Sequence, residues 1–197
     1  MTKSLKRIAL TVTLGTLVSK VGGLIRQLVI AGAFGIGTAY DAYSYAYVLP
    51  GFFLVLLGGI NGPFHNAIVS VFSRKSQKES GYILTAINTL VGTCLIIITA
   101  ILFFYADPLI KIIGPGLENN THEIAVIQLK IMAPVALLSG LIGLGFGSLN
   151  ASKEFLLPSI SPLLSSATLV ILVGTFWLGE GTAIQTELLA IKGGIIL

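Results

Sequence analysis

Charge is what this sequence lacks most. Only 10% of its 197 residues are Asp, Glu, Lys or Arg, while 54% are hydrophobic. A soluble domain carries about 25% charged residues and could not cover its surface with so few. Disorder is excluded on the same ground, because it requires low hydropathy and high charge. Cysteine is almost absent too. Cys94 stands alone, so neither an internal disulfide nor a cysteine metal cluster can form. His65 and His122 lie far apart with no metal-ligand spacing around them, and no metal or other cofactor is expected. Period-two alternation is missing as well, which argues against an outer-membrane barrel. What remains is an integral membrane protein whose backbone is satisfied within helices.

The uncharged stretches set the architecture. Residues 42–73, 81–106, 131–152 and 155–179 carry no charge, and each reaches the ~20 residues that a spanning helix needs. A fifth apolar segment, 8–34, is interrupted by Lys20 and Arg26, and a sixth begins near residue 184 and is still running at Leu197. The expected fold is all-α: a polytopic transmembrane bundle with helices over about 8–34, 42–73, 81–106, 124–150 and 155–179, and an incomplete helix over 184–197. Residues 1–197 then form a single transmembrane lobe, read as part of something longer. The basic start (Lys3, Lys6, Arg7) and the small residues at 31–33 imitate a signal peptide. Lys20 and Arg26 between them favour a retained first helix.

Basic residues in short loops give the orientation. Lys3, Lys6, Arg7, Arg74, Lys75, Lys78 and Lys153 fall on one side if each segment crosses once, against Lys111 on the other. The N-terminus is therefore expected in the cytoplasm, and the net charge of +4 reports topology without calling for a nucleic-acid partner. The same bias bears on the segment over 42–73. As a straight helix its 32 residues would reach ~48 Å, well beyond a ~30 Å hydrocarbon core. Pro50-Gly51, Gly58-Gly59 and Asn61-Gly62-Pro63 offer three places to kink or unwind it. Two crossings would put Arg74, Lys75 and Lys78 outside, so one long, bent or broken helix is the better reading. Broken helices are common beside transporter cavities, although Pro and Gly are also simply frequent in membrane helices.

The first helix carries the most information. Thr13, Thr16, Ser19, Lys20, Gly23, Arg26 and Gln27 fall within roughly 140° of one another on a helical wheel, on a surface otherwise mostly Leu, Val, Ile and Ala. Such a stripe must face a bundle interior or water, and intramembrane cations are functional candidates by default. The structural alternative for Lys20 and Arg26 is an ion pair or interfacial anchoring. Thr38-Ala39-Tyr40-Asp41 reads as a capping box at the start of the second helix, which could account for Asp41 without any function. Gly140, Gly143 and Gly147 read as a surface for close helix packing.

Ser19-Lys20-Val21-Gly22-Gly23-Leu24-Ile25-Arg26, then Phe34-Gly35-Ile36-Gly37 and Asp41-Ala42-Tyr43, resemble the opening of the MurJ/MviN proteins. These are lipid II flippases of the multidrug/oligosaccharidyl-lipid/polysaccharide exporter superfamily. Leu49-Pro50, Pro63-Phe64-His65-Asn66-Ala67, Gly114-Pro115-Gly116 and Leu149-Asn150 extend the likeness along nearly the whole chain, and residues 47–71 are most similar to the cyanobacterial branch. Two departures stand out. Lysine at position 20 keeps the charge but loses the bidentate fork of arginine. Gly51-Phe52-Phe53-Leu54-Val55 stands where the family carries a pair of arginines on its second helix.

The resemblance implies a fourteen-helix transporter of two pseudo-symmetric lobes about a cationic cavity, of which this chain is most of the N-terminal lobe. It implies flipping of an undecaprenyl-diphosphate-linked peptidoglycan precursor across the bacterial cytoplasmic membrane. The expected partners are that lipid-linked diphosphate sugar, the surrounding lipids and a second lobe. The substrate-binding residues it implies are Lys20, Arg26, Ser19, Gln27 and Asp41, with Asp41 holding Arg26 when the site is empty. No catalytic residue is expected. Two alternatives stay open: a polysaccharide or drug exporter of the same superfamily, and a membrane-embedded enzyme acting on polyprenyl phosphates.

Overall fold

The computed structural model describes residues 5–35, 37–59, 62–73 and 77–180, and these contain α-helices and one π-turn but no strand. The elements are α1 (Leu5–Phe34), α2 (Thr38–Phe53), a π-turn (Leu54–Gly58), α3 (Pro63–Phe72), α4 (Gln77–Phe104), α5 (Ala106–Ile113), α6 (Asn119–Met132), α7 (Pro134–Ala151) and α8 (Leu156–Glu180). Five stretches are long and apolar enough to cross a bilayer: Ala9–Ala33, Thr38–Phe72, Gly81–Phe104, Asn119–Ala151 and Leu156–Gly174. The helix expected over 184–197 lies outside the described residues, as do Arg74 and Lys75.

The second span is broken, and its sequence says why. Pro50 cannot donate to the carbonyl one turn earlier, and within four residues α2 gives way to the π-turn. Gly59 and Gly62 are then extended (ψ 132° and 164°), and α3 restarts with Pro63 in its first turn. Irregular backbone at membrane depth needs protein around it. Here α7 supplies the shelter. A Cβ added at Gly143 would strike the Leu57 carbonyl oxygen, one at Gly140 would strike Leu95 of α4, and one at Gly147 would lie 2.5 Å from Ile68 of α3. The glycine spacing on α7 thus admits three neighbours to its backbone. Where α3 meets the end of α7, the Asn150 amide donates to Nε2 of the buried His65 at 2.8 Å.

Small residues also seat α2 on α6. Ala39, Ala42 and Ala46 are buried against Ala125 and Leu129, and the buried Gln128 donates to the Ala39 carbonyl at 3.4 Å. Helix α5, expected as part of a loop over 107–123, folds beneath this contact with Ala106 and Ile110 fully buried. Its eight residues carry two charges and are too few for a span, so hydropathy passed over it. Outside the spans, Lys111 bonds Asp107 at 2.7 Å and holds that carboxyl below its usual range, burial opposing. The following span begins at Asn119, five residues before the expected start, and is interrupted at Ala133-Pro134.

The capping box at Thr38 does not form. Gly37, extended at φ −158°, is the N-cap and no side chain bonds the first turn, so Thr38 is already helical. Gly35 closes the preceding helix at φ +56°, donating its N–H to the Ala31 carbonyl. Two glycines turn the chain and leave the threonine no capping role.

Gly143→Ala should lower stability by about 1–3 kcal/mol, because a backbone carbonyl faces the added methyl. Gly145→Ala, with open space at that position, should be near neutral. Thermal unfolding of the two variants in the same detergent compares them directly.

Candidate functional site: the open face of the first helix

Helix α1 packs chiefly on α8. Gly15 meets Ser159 and Gly22 meets Leu163 and Ser166, so residue numbers rise together along the seam and the two helices run parallel. Parallel first and last spans require an odd number of crossings between them. The three intervening candidate spans supply it, with 38–72 crossing once.

The seam divides the polar stripe. Ser19 is buried, and its hydroxyl donates to the Ser159 carbonyl at 2.6 Å. Gly15 and Gly22, one turn to either side, let α8 come close enough for that bond. Ser19 therefore faces a neighbouring helix. Thr13, Thr16, Lys20 and Gln27 occupy the other edge and are exposed, and Gly23 between them is half-buried. Lys20 follows Ser19 by 100° of helix rotation, which carries it out of the seam.

Arg26 lies on the packed edge but nearer the outer end of the helix by the expected topology. It is half-buried, and its Nε is buried without a hydrogen-bond partner. Eight residues before the end of α1, it lies at the depth of Tyr43 and Tyr47, five and nine residues into α2. Asp41 does not hold it. Asp41 is exposed in the first turn of α2, where an acid suits the helix dipole, and no ion pair joins the two residues. The physical reason is angular: α2 turns its alanine face into the bundle and Tyr43 beside it, while Asp41 points about 160° from Tyr43 around the axis.

The arrangement is a cation pair on one side of an apolar helix, about six residues and ~9 Å apart along the axis. One member is free to reach a ligand, and the other keeps an unsatisfied donor in a partly dry setting. Such a pair suits an anion extended along the helix. No group of three or more potential metal-ligating side chains exists among the described residues.

The family model described as Lipid II flippase MurJ matches residues 30–196. The chain belongs to the MurJ family. It is 51% identical over 195 residues to the probable lipid II flippase MurJ of Synechocystis sp., covering 99% of this chain and 37% of that protein. To the lipid II flippase MurJ of Thermosipho africanus it is 29% identical over 166 residues, covering 83% and 34% of the two chains. A solved structure of a lipid II flippase MurJ in its inward closed conformation shares the fold at a TM-score of 0.72 and 26% identity, covering 94% of this chain and 39% of that one. The chain thus spans about a third of the length of these MurJ relatives.

Of the five sequence-chosen residues, the structure brings Lys20 and Gln27 to the open edge, keeps Arg26 at its border, seals Ser19 in the seam and leaves Asp41 apart. The sequence reading passed over the tyrosines of α2. Their spacing at positions 40, 43 and 47 was the available signal.

Replacing Ser19 by Ala should cost about 0.5–1.5 kcal/mol of folding stability, the worth of one ordinary hydrogen bond. Lys20→Ala should stay within about 0.5 kcal/mol of the unsubstituted protein, as exposed sites do. Denaturation midpoints in detergent would separate them. Equal losses would mean that the stripe is packed as a whole.

Proposed function

We propose that this chain is one lobe of a lipid II flippase, moving an undecaprenyl-diphosphate-linked peptidoglycan precursor from the cytoplasmic to the outer leaflet of the bacterial cytoplasmic membrane. The observation that carries this reading is the pair of cations on the polar stripe of α1, Lys20 at its open edge and Arg26 at the border of the seam, in a chain of the MurJ family. The polyprenyl tail stays in lipid while the headgroup enters the cavity. Lys20 and Arg26 neutralise the diphosphate there, with Gln27 beside them as a neutral donor. In a low-dielectric cavity each charge contact is stronger than in water. A second lobe closes the opposite wall, and rocking of the two lobes gives alternating access. No covalent bond is made or broken, so the chain acts as a transporter and not as an enzyme.

The two cations divide the work by their chemistry. Arg26 offers a planar fork for two phosphoryl oxygens, and Lys20 offers a flexible point charge about 120° round the helix. A diphosphate lying across the stripe meets both.

In the complete flippase carrying this sequence, Arg26→Ala should abolish rescue of a strain depleted of its own flippase, at unchanged membrane abundance. Lys20→Ala should behave alike, and Lys20→Arg should be tolerated because it keeps charge and adds a fork. Normal rescue by Arg26→Ala would end the substrate-site reading. Orientation has a separate check. Single cysteines at positions 78 and 153, in a Cys94→Ser background, should resist an impermeant thiol reagent in intact cells, whereas one at position 118 should label.

A further inference from the structure

Tyr40, Tyr43 and Tyr47 follow one another at helical spacing along α2 and are each half-buried. Their ring centroids are 6.1 Å apart for Tyr40 and Tyr43 and 5.4 Å for Tyr43 and Tyr47, and the second pair is stacked with planes 18° apart. The ladder is held from behind. Tyr43 and Tyr47 pack against the alanine-lined core between α2 and α6. The Tyr47 ring also lies over Gly51, where an added Cβ would come within 2.6 Å of it. Fixed rings of this kind lose little entropy when a ligand settles on them.

Packing explains the rings but not the hydroxyls. Phenylalanine would fill the same space, yet all three positions carry a phenol, and none of the three phenol oxygens is hydrogen-bonded to another described residue. Arg26 stands eight residues before the end of α1, ~12 Å along its axis, and Tyr43 and Tyr47 stand five and nine residues into α2, ~8 and ~14 Å from its start, so consecutive spans of opposite direction bring the cation and the rings to the same depth. The result is a short run of hydroxyl groups and aromatic surface that starts at a cation with a free donor. From Tyr40 to Tyr47 the run covers ~10 Å of helix, the scale of two linked sugar rings.

We propose that Tyr40, Tyr43 and Tyr47 form a saccharide-docking face contiguous with Arg26, which takes the sugar rings of a diphosphate-linked headgroup while Arg26 takes the phosphate. This rests on the flippase reading above and adds the residues that would recognise the sugar. A pyranose presents an apolar C–H face and a rim of hydroxyls. A tyrosine ladder matches both, with ring surface for the first and phenols that donate and accept for the second. The competing account is an interfacial aromatic belt, in which tyrosines anchor the helix at the membrane surface and touch no ligand.

The test uses the complete flippase carrying this sequence, in nanodiscs, with two probes: undecaprenyl diphosphate, and lipid II, which adds the sugars. The unsubstituted protein should bind lipid II more tightly than undecaprenyl diphosphate. Tyr43→Leu and Tyr47→Leu should each erase about threefold to tenfold of that preference, the scale of one aromatic contact, and should leave the affinity for undecaprenyl diphosphate. Tyr43→Phe, which keeps the ring and the packing, should lose a smaller part of it. A preference that survives both leucine variants, or that the unsubstituted protein never shows, overturns the docking face. A parallel loss of both probes in folded leucine variants also overturns it, because the rings would then act only on the phosphate site. Failure of the unsubstituted protein to bind either probe would instead overturn the flippase reading itself.

Discussion

The contact on which the bundle depends is the seating of the Leu57 carbonyl against Gly143. A span interrupted by Pro50, a π-turn and two extended glycines exposes polar backbone where lipid offers no hydrogen bond. Only a neighbour without side chains can come close enough to exclude lipid from that stretch. Helix α7 does so with three glycines on one face, and the same face admits Leu95 of α4 and Ile68 of α3. The break and its shelter are thus one feature. Neither would be tolerable without the other.

Helices α1 and α8 follow a different rule. Their seam is built on Gly15, Gly22 and the single short bond from Ser19 to Ser159, and it joins the rest of the bundle mainly through α8 against α7. Because the seam takes up only one side of α1, the other side keeps its cation free of any helix. The pairing is what converts a polar stripe into a candidate site. A helix that buried its whole polar arc would have satisfied Lys20 and Arg26 within the protein.

Arg26 stands where the two rules meet. It is the last polar residue but one on the α1 stripe, and it lies at the depth of Tyr43 and Tyr47 on α2. The alanine face that draws α2 onto α6 also takes Tyr43 and Tyr47 against its border. Packing in the core therefore fixes the rings, at the depth where α1 carries the cation. The exposed Asp41, on another side of α2, takes no part in this arrangement.

Composition and order alone determined that the chain is helical, that five stretches can cross a membrane, and that the second must be bent or broken. These follow locally, since the cost of unsatisfied backbone in lipid depends on length, hydropathy and the places where Pro and Gly interrupt a run. The motifs around Lys20 and Arg26 were equally legible, because a cation in an apolar helix stands out whatever surrounds it. What surrounds it was not legible. Ser19 and Lys20 are neighbours in the chain, and only the approach of α8 decided that one is sealed and the other open. Thr38 and Asp41 have the spacing of a capping box, but Gly37 took the cap and the alanine face turned Asp41 away from Arg26. Helix α5 was missed because eight residues with two charges gain their helical state from the core above them, not from their own hydropathy. Contacts between distant segments are set by the angles at which helix faces meet, and a linear pattern does not contain those angles.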